Sequence, residues 1–136
     1  HPAVMKVALA AKGSERVMLV TDAIQSVGSD ASEMALLGKK VIRHQGKVTT
    51  EDGTLAGSDL DMASAVRNAV KLIGLDEASA LQMASLRPAE FLGLDKEFGR
   101  IQAGYRASLV ALDDDLFVQQ TWIDGEIAYQ AETAQV

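Results

Sequence analysis

The chain contains no cysteine in 136 residues, which excludes disulfide staples, thiolate metal sites and cysteine nucleophiles. That lack fits a reducing compartment, and a cytoplasmic location is the expectation. Histidine is almost as scarce: His1 and His44 form neither an H-x-H nor an H-E-x-x-H motif, and a catalytic zinc site needs about three protein ligands. Positive charge is in deficit, with 13 Lys plus Arg against 19 Asp plus Glu and no basic run longer than Lys39–Lys40. No footprint for nucleic acid or an anionic membrane results. No apolar run approaches the ~18 residues of a membrane span, and His1–Pro2 opens no signal peptide. The chain begins without Met and directly in a helical pattern, so its numbering is expected to start inside a larger polypeptide.

What is present is apolar mass: 48% hydrophobic and 24% charged residues, enough for a packed core in one modest domain. Pro2 followed by Val4, Met5, Val7, Ala8 and Leu9 predicts a helix closed by Gly13. Val17 to Thr21 is a continuous apolar run, the mark of a strand covered on both faces in a parallel sheet. Residues 23–34 read as an extended loop over its end, and residues 35–54 alternate β-rich pieces with turns, predicting an antiparallel meander. Leu60 to Ile73 predicts a helix ended by Gly74, with Ser58 or Asp59 as N-cap. Asp76 can cap a second helix, and Pro88 imposes a break before a third over Ala89–Leu92. Gly99–Ile101, Ala107–Leu112 and Phe117–Ile123 read as strands, and Asp124–Gly125 marks a two-residue hairpin.

Few residues could carry chemistry. Asp22 stands where a parallel strand delivers its C-terminal edge, the place where ligands bind in α/β folds; it reads either as a catalytic or ligand-binding acid or as a loop or helix cap. Leu55-Ala56-Gly57-Ser58 offers amides at a helix start, suited to a phosphate or sugar hydroxyl or to nothing beyond an ordinary capped helix. His44 reads as a surface strand residue, and the five methionines fall at apolar positions as core. Gly28 extends no dinucleotide or Walker pattern, and no nucleophile elbow supports a Ser-His-Asp triad.

Taken together, VMLVTDA at 17–23, the meander with Gly38–Lys39, GTLAGS at 53–58, Leu60, Met62, VRN at 66–68, Ala84–Ser85, RPA at 87–89, LGL at 92–94 and GRIQAG at 99–104 resemble the C-terminal third of the N-acetylglucosamine-6-phosphate deacetylases, amidohydrolases. The stretch from Pro88 to Asp113 carries the pattern of the wider superfamily, whereas Thr21-Asp22-Ala23, the meander and LAGS point to the deacetylases. The resemblance implies an α/β fold: the C-terminal part of a (β/α)8 TIM barrel, with its last strand and flanking helices, plus strands of a small β-sandwich. Residues 1–34 and 55–97 would form the end of the barrel, 35–54 a meander insertion, 98–130 the sandwich strands and 131–136 a tail.

The implied activity is hydrolysis of N-acetyl-D-glucosamine 6-phosphate to D-glucosamine 6-phosphate and acetate in amino-sugar catabolism. By position, Asp22 would be the acid/base at the end of the eighth barrel strand. In the family a divalent metal, zinc or similar, polarises the acetamide carbonyl and lowers the pKa of a water. The aspartate takes that water's proton and delivers it to the leaving amine. Leu55, Ala56 and Gly57 match the loop bordering the substrate. The family's metal-binding Glu and His residues and its phosphate contacts lie on earlier strands. Within this chain only Asp22 could touch the metal, and His1 is given no substrate role. Ser108 replaces an Asp usual in relatives, which is expected to alter a structural hydrogen bond.

A complete barrel takes roughly 250 residues. The 136 residues alone are therefore expected to bind no metal, to be inactive, and to associate with missing barrel segments or with further copies in a homo-oligomer. Two other readings stand beside this one. Another amidohydrolase acting on a cyclic amide or N-acyl compound would share the Pro88–Asp113 pattern, and a substrate panel separates it. A non-catalytic fragment would self-associate to cover the apolar faces at Val17, Leu19 and the first helix, and solution size tests it.

Overall fold

Pro2 sits in the first turn of α1 (Pro2–Lys12), where its missing N–H costs nothing because that donor has no intrahelical partner. His1 caps the helix, its Nδ1 accepting from the Ala3 amide at 3.3 Å, and Gly13 ends it where the sequence predicts. In the computed structural model, which describes residues 1–44 and 46–132, this helix buries none of its residues. The tail expected over 131–136 lies outside the described residues from 133 onward.

A short 3-10 turn (Ser14–Arg16) leads into the run expected to be a strand covered on both faces. That expectation needs correcting. The backbone is extended at Val17 (φ −127°, ψ 140°), but residues 17–21 join no ladder among the described residues, and Val20 is exposed. A parallel strand is held by neighbours on its edges. Here the run has the Leu19 amide donating to the Met83 carbonyl at 2.9 Å, the Ser58 hydroxyl donating to the Thr21 carbonyl and, just beyond its end, a parallel bridge between Ala23 and Ser58.

The chain divides into two compact units, residues 20–65 and residues 1–19 with the chain from Val66 onward. The first is built on a four-stranded antiparallel meander, β1 (Glu33–Leu36), β2 (Lys39–His44), β3 (Lys47–Thr50) and β4 (Leu55–Ser58), in that spatial order. Val41 and Val48 are its buried side chains, while His44 is exposed on β2. The meander is longer than expected at both ends. It begins at Glu33, inside the stretch read as a loop, and it takes in Leu55–Ser58, read as the approach to a helix. Val48 pairs with Gly57 and Lys47 with Ser58, with a bulge between Val48 and Thr49.

Because Ser58 and Asp59 are engaged elsewhere, neither caps the next helix. Asp61 does so, accepting from the Ser64 amide at 2.7 Å, and α2 runs Met62–Asn68. The second unit continues from α2 through a π-helical turn (Ala69–Ile73) that stops at Gly74. Helix α3 (Glu77–Ala84) is capped by Asp76 as predicted, its carboxylate accepting from the Ser79 amide at 2.9 Å. Helix α4 (Leu86–Leu92) starts before Pro88, not after it. The break falls at Ser85 instead, and Pro88 lies in the first turn, where the amide it lacks would have no partner.

Val66, Ala69, Ala80 and Leu116 form this unit's core, with Leu19, Leu75 and Leu112 packed against them. Arg67 stacks on the Phe117 ring at 4.2 Å and donates to the Leu116 carbonyl at 2.7 Å. Residues 99–101, expected as a strand, join none, because the glycine-spaced stretch 99–104 turns instead. The sheet that follows has β5 (Leu109–Leu112), β6 (Val118–Ile123) and β7 (Glu126–Gln130) in sequence order. Asp124–Gly125 makes the predicted two-residue turn, both residues at positive φ (51° and 87°) as a type I′ hairpin demands. The architecture is thus mixed α/β with two antiparallel sheets.

Candidate active site

The apolar run from Val17 ends in a tight reversal at Asp22, whose φ of 54° is unusual for a residue with a side chain. The neighbouring edge is what holds it there. The Ser58 amide donates to the Asp22 carbonyl at 2.8 Å, and the Ile24 amide donates to the Ser58 carbonyl at 3.3 Å. The Ser58 hydroxyl donates to the Thr21 carbonyl and accepts from the Leu60 amide at 3.2 Å. Thr21 contributes its own hydroxyl, which accepts from the Ala23 amide at 3.3 Å. The carboxylate of Asp22 is exposed and makes no hydrogen bond or ion pair among the described residues. Asp22 thus stands at the end of an extended run that joins no ladder among the described residues, with its carboxylate open to solvent.

Gly57 lets the two segments meet. It is buried, with φ 147°, and a Cβ there would stand 2.7 Å from Ile24 Cγ2 and 3.2 Å from the Asp22 carbonyl oxygen. Any side chain would push β4 off the Asp22 turn. Ala56 is half-buried and Leu55 exposed at the start of the strand. The sequence-predicted residues Asp22, Leu55, Ala56 and Gly57 are thus carried on two segments that share backbone hydrogen bonds. The amides at 55–57 belong to a strand, however, and not to a helix N-terminus.

A second set of contacts lies beside the first. Asp59, next to Ser58, pairs with Arg43 Nη1 at 3.3 Å, and the same nitrogen donates to the Ser29 carbonyl at 2.5 Å and the Ser26 carbonyl at 3.3 Å. The loop that follows Asp22 is thereby tied to β2. Arg43 is not legible as a site residue in the sequence, and Ser58 is legible only as the last member of the amide segment 55–58. Ser58 reads as a helix cap, and Arg43 is one cation in a strand with nothing to mark its reach.

Among the described residues no three His, Asp or Glu side chains converge as a metal site. Asp22 supplies one oxygen donor group without companions, so these residues do not by themselves fit a divalent metal. A cavity of about 510 Å³ lies in the other unit, between Glu77 and Leu81 of α3, Arg100, Ile101 and the β5 residues Leu109 and Leu112. It contains none of the sequence-predicted site residues, and volume alone supplies no proton-transfer group aimed at a substrate. The Asp22 turn remains the candidate.

Comparison with known proteins adds a separate line. Residues 2–128 match the model of the Amidohydrolase family. The chain is 47% identical over 128 residues to an N-acetylgalactosamine-6-phosphate deacetylase of Escherichia coli O157:H7, covering 94% of this chain and 34% of that protein. It is 38% identical over 137 residues to the human N-acetylglucosamine-6-phosphate deacetylase, covering 99% of this chain and 33% of the relative. The crystal structure of N-acetylglucosamine-6-phosphate deacetylase from Pasteurella multocida superposes with a TM-score of 0.88 at 32% identity, over 93% of this chain and 33% of that one. The chain thus spans about a third of the length of each of these proteins.

Proposed function

The chain belongs to the amidohydrolase family, and from that premise we propose that it is the part of an amino-sugar-6-phosphate deacetylase that supplies the acid/base and one border of the sugar site. The observation that carries this reading is the Asp22 turn clasped by β4, its backbone carbonyl against Gly57 and Ser58 and its carboxylate exposed. In the proposed reaction a water adds to the acetamide carbonyl while Asp22 accepts its proton. The C–N bond then breaks as Asp22 returns the proton to the departing nitrogen, leaving the amino sugar phosphate and acetate. Leu55, Ala56 and Gly57 border the sugar, with Gly57 allowing close approach.

Family deacetylases are metal-dependent, and a bound divalent ion would polarise the carbonyl. Because the residues here do not assemble its ligand set, its donors are assigned to the remaining two thirds of a relative-length polypeptide. In that polypeptide residues 1–34 and 55–97 would close the barrel, 35–54 would be an insertion and 98–130 would join a sandwich. A cytoplasmic homo-oligomer fits this reading, and no helix among the described residues is long and apolar enough to cross a membrane.

The resemblance in sequence points to the gluco sugar. The identity gradient, 47% against 38%, favours the galacto epimer, so N-acetylgalactosamine 6-phosphate is proposed as the preferred substrate. The test is acetate release by the full-length protein from both epimers, with and without Asp22→Asn. Turnover that is faster on the galacto sugar and falls at least about 100-fold in the variant, with substrate still bound, is expected. A near-normal rate in the variant would remove Asp22 from the reaction, and activity only on unphosphorylated or cyclic amides would remove the substrate class.

A further inference from the structure

Ser58 makes three kinds of contact with the turn that carries Asp22. Its amide donates to the Asp22 carbonyl, its carbonyl accepts from the Ile24 amide, and its hydroxyl donates to the Thr21 carbonyl. The same hydroxyl accepts from the Leu60 amide, which fixes its rotamer from the other side. Two backbone bonds alone would align β4 with residues 22–24, as any parallel bridge does. The side-chain bond adds a different hold: it takes the peptide unit joining Thr21 to Asp22, so that with the Ser58 amide on the Asp22 carbonyl both peptide units that orient the Asp22 Cα–Cβ bond are fixed by one residue.

Those peptide units need holding. Asp22 has φ 54°, a conformation that aspartate adopts more readily than most side-chain-bearing residues but still at a cost, and its exposed carboxylate has no partner among the described residues. Strain of this kind persists only where surrounding contacts over-determine the geometry. Gly57 permits the approach of β4 but supplies no polar group of its own to the turn; Ser58 supplies it.

We propose that Ser58 is a positioning residue for Asp22: its hydroxyl, bonded to the Thr21 carbonyl, sets the direction of the Asp22 carboxylate relative to the Leu55–Gly57 border. This rests on the deacetylase reading for its catalytic consequence, but not for its structural one. Ser58 need not touch substrate, so its loss should affect the rate of the bound complex more than binding, since small misplacements of an acid/base group lower rate steeply.

The experiment uses the full-length protein and the variants Ser58→Ala and Ser58→Thr. Ser58→Ala should lower kcat about 10- to 100-fold with KM within about twofold, and Ser58→Thr, which keeps the hydroxyl, should recover most of the rate. Independently of activity, amide hydrogen exchange should show faster exchange at Ser58 and Ile24 in the alanine variant, with the Val41 and Val48 amides unchanged. The inference is overturned if Ser58→Ala keeps kcat within about twofold of the parent, or if Ile24 exchange is unaltered. It is equally overturned if kcat, KM and melting temperature fall together and threonine restores none of them, since that describes general structural damage. Should the parent protein release no acetate from either amino-sugar phosphate, the deacetylase reading fails by itself. The exchange data then still decide whether Ser58 holds the turn.

Discussion

Sheet β1–β4 sends hydrogen bonds well beyond its own ladder, from Ser58 to Thr21 across 37 positions and from Arg43 to Ser26 across 17. Sheet β5–β7 has long ties too, Arg67 donating to the Leu116 carbonyl across 49 positions and Arg106 to Asp124 across 18, but these hold the turns between its own strands, as does the Phe117 amide donating to Asp113 at 2.8 Å. Both are antiparallel and small, and both contain a bulge. The difference lies in what each must hold. In β5–β7 the ties close the sheet's own hairpins, whereas in β1–β4 they fix a separate segment, the Asp22 turn and the loop after it. The outward ties of β1–β4 constrain a segment outside its own ladder, and substitutions in the two sheets should separate accordingly.

The sharpest contrast is between two glycines. Gly57→Ala would drive a Cβ to 2.7 Å from Ile24 Cγ2 at φ 147°, whereas a Cβ at Gly125 meets nothing nearer than Ala107 at 3.9 Å. We expect the first to cost about 2–4 kcal/mol and the second about 1 kcal/mol, the latter for positive φ alone. Urea unfolding of the full-length variants measures both. Equal costs would mean that the approach of β4 to the Asp22 turn is not constrained, and the comparison between the sheets would lose its basis.

A smaller effect is expected from side chains. Val48 is fully buried on β3, while Ile127 on β7 is 59% exposed, in a strand that buries none of its residues. Val48→Ala should destabilise by about 1–3 kcal/mol through lost burial and a residual cavity. Ile127→Ala should stay within about 0.5 kcal/mol. A large loss at Ile127 would show that β7 is covered in solution by something beyond the described residues.

Much of this contrast was visible in the sequence where local chemistry decides the structure. The Pro2 start and Gly13 stop of α1, the Asp76 cap, the Gly74 stop and the Asp124–Gly125 hairpin all follow from residues within a few positions of one another. The failures share a physical cause. Leu55–Ser58 carries no strong strand propensity, and it becomes β4 because β3 and the Asp22 turn lie on either side to accept its hydrogen bonds. Val17–Thr21 has the opposite character, a strong strand pattern with no strand among the described residues to pair with. Asp22 and Leu55–Gly57 could be named as candidates from resemblance, but the serine and arginine that tie their surroundings together could not. A hydroxyl or guanidinium reveals its partner only once the chain is folded.

The last and smallest contrast concerns acid. Asp52, in the β3–β4 turn, accepts from the Thr50 hydroxyl at 2.5 Å and the Thr54 amide at 3.0 Å. The Thr50 hydroxyl first and the Thr54 contacts next hold its carboxyl down at about 2, below the ordinary 3.8. Asp124, in the β6–β7 turn, is also lowered, chiefly by its bond to Arg106. A carboxyl depressed on folding stabilises the folded state fully above its ordinary value, and that contribution is lost as pH falls through the folded one. The β3–β4 turn should therefore keep its support at pH 4 and lose it between about 3.8 and about 2. Carboxyl-carbon NMR titration should place the Asp52 midpoint near 2, and Thr50→Val should raise it toward 3.8 while leaving Asp124 unmoved. Both carboxyls are exposed, so the effect on global stability should be slight and the midpoints are the sensitive readout. An Asp52 midpoint at its ordinary value would mean that the turn leading into β4 is held by its backbone alone. The long ties of Ser58 and Arg43 would then bear the whole task of keeping that strand against the Asp22 turn.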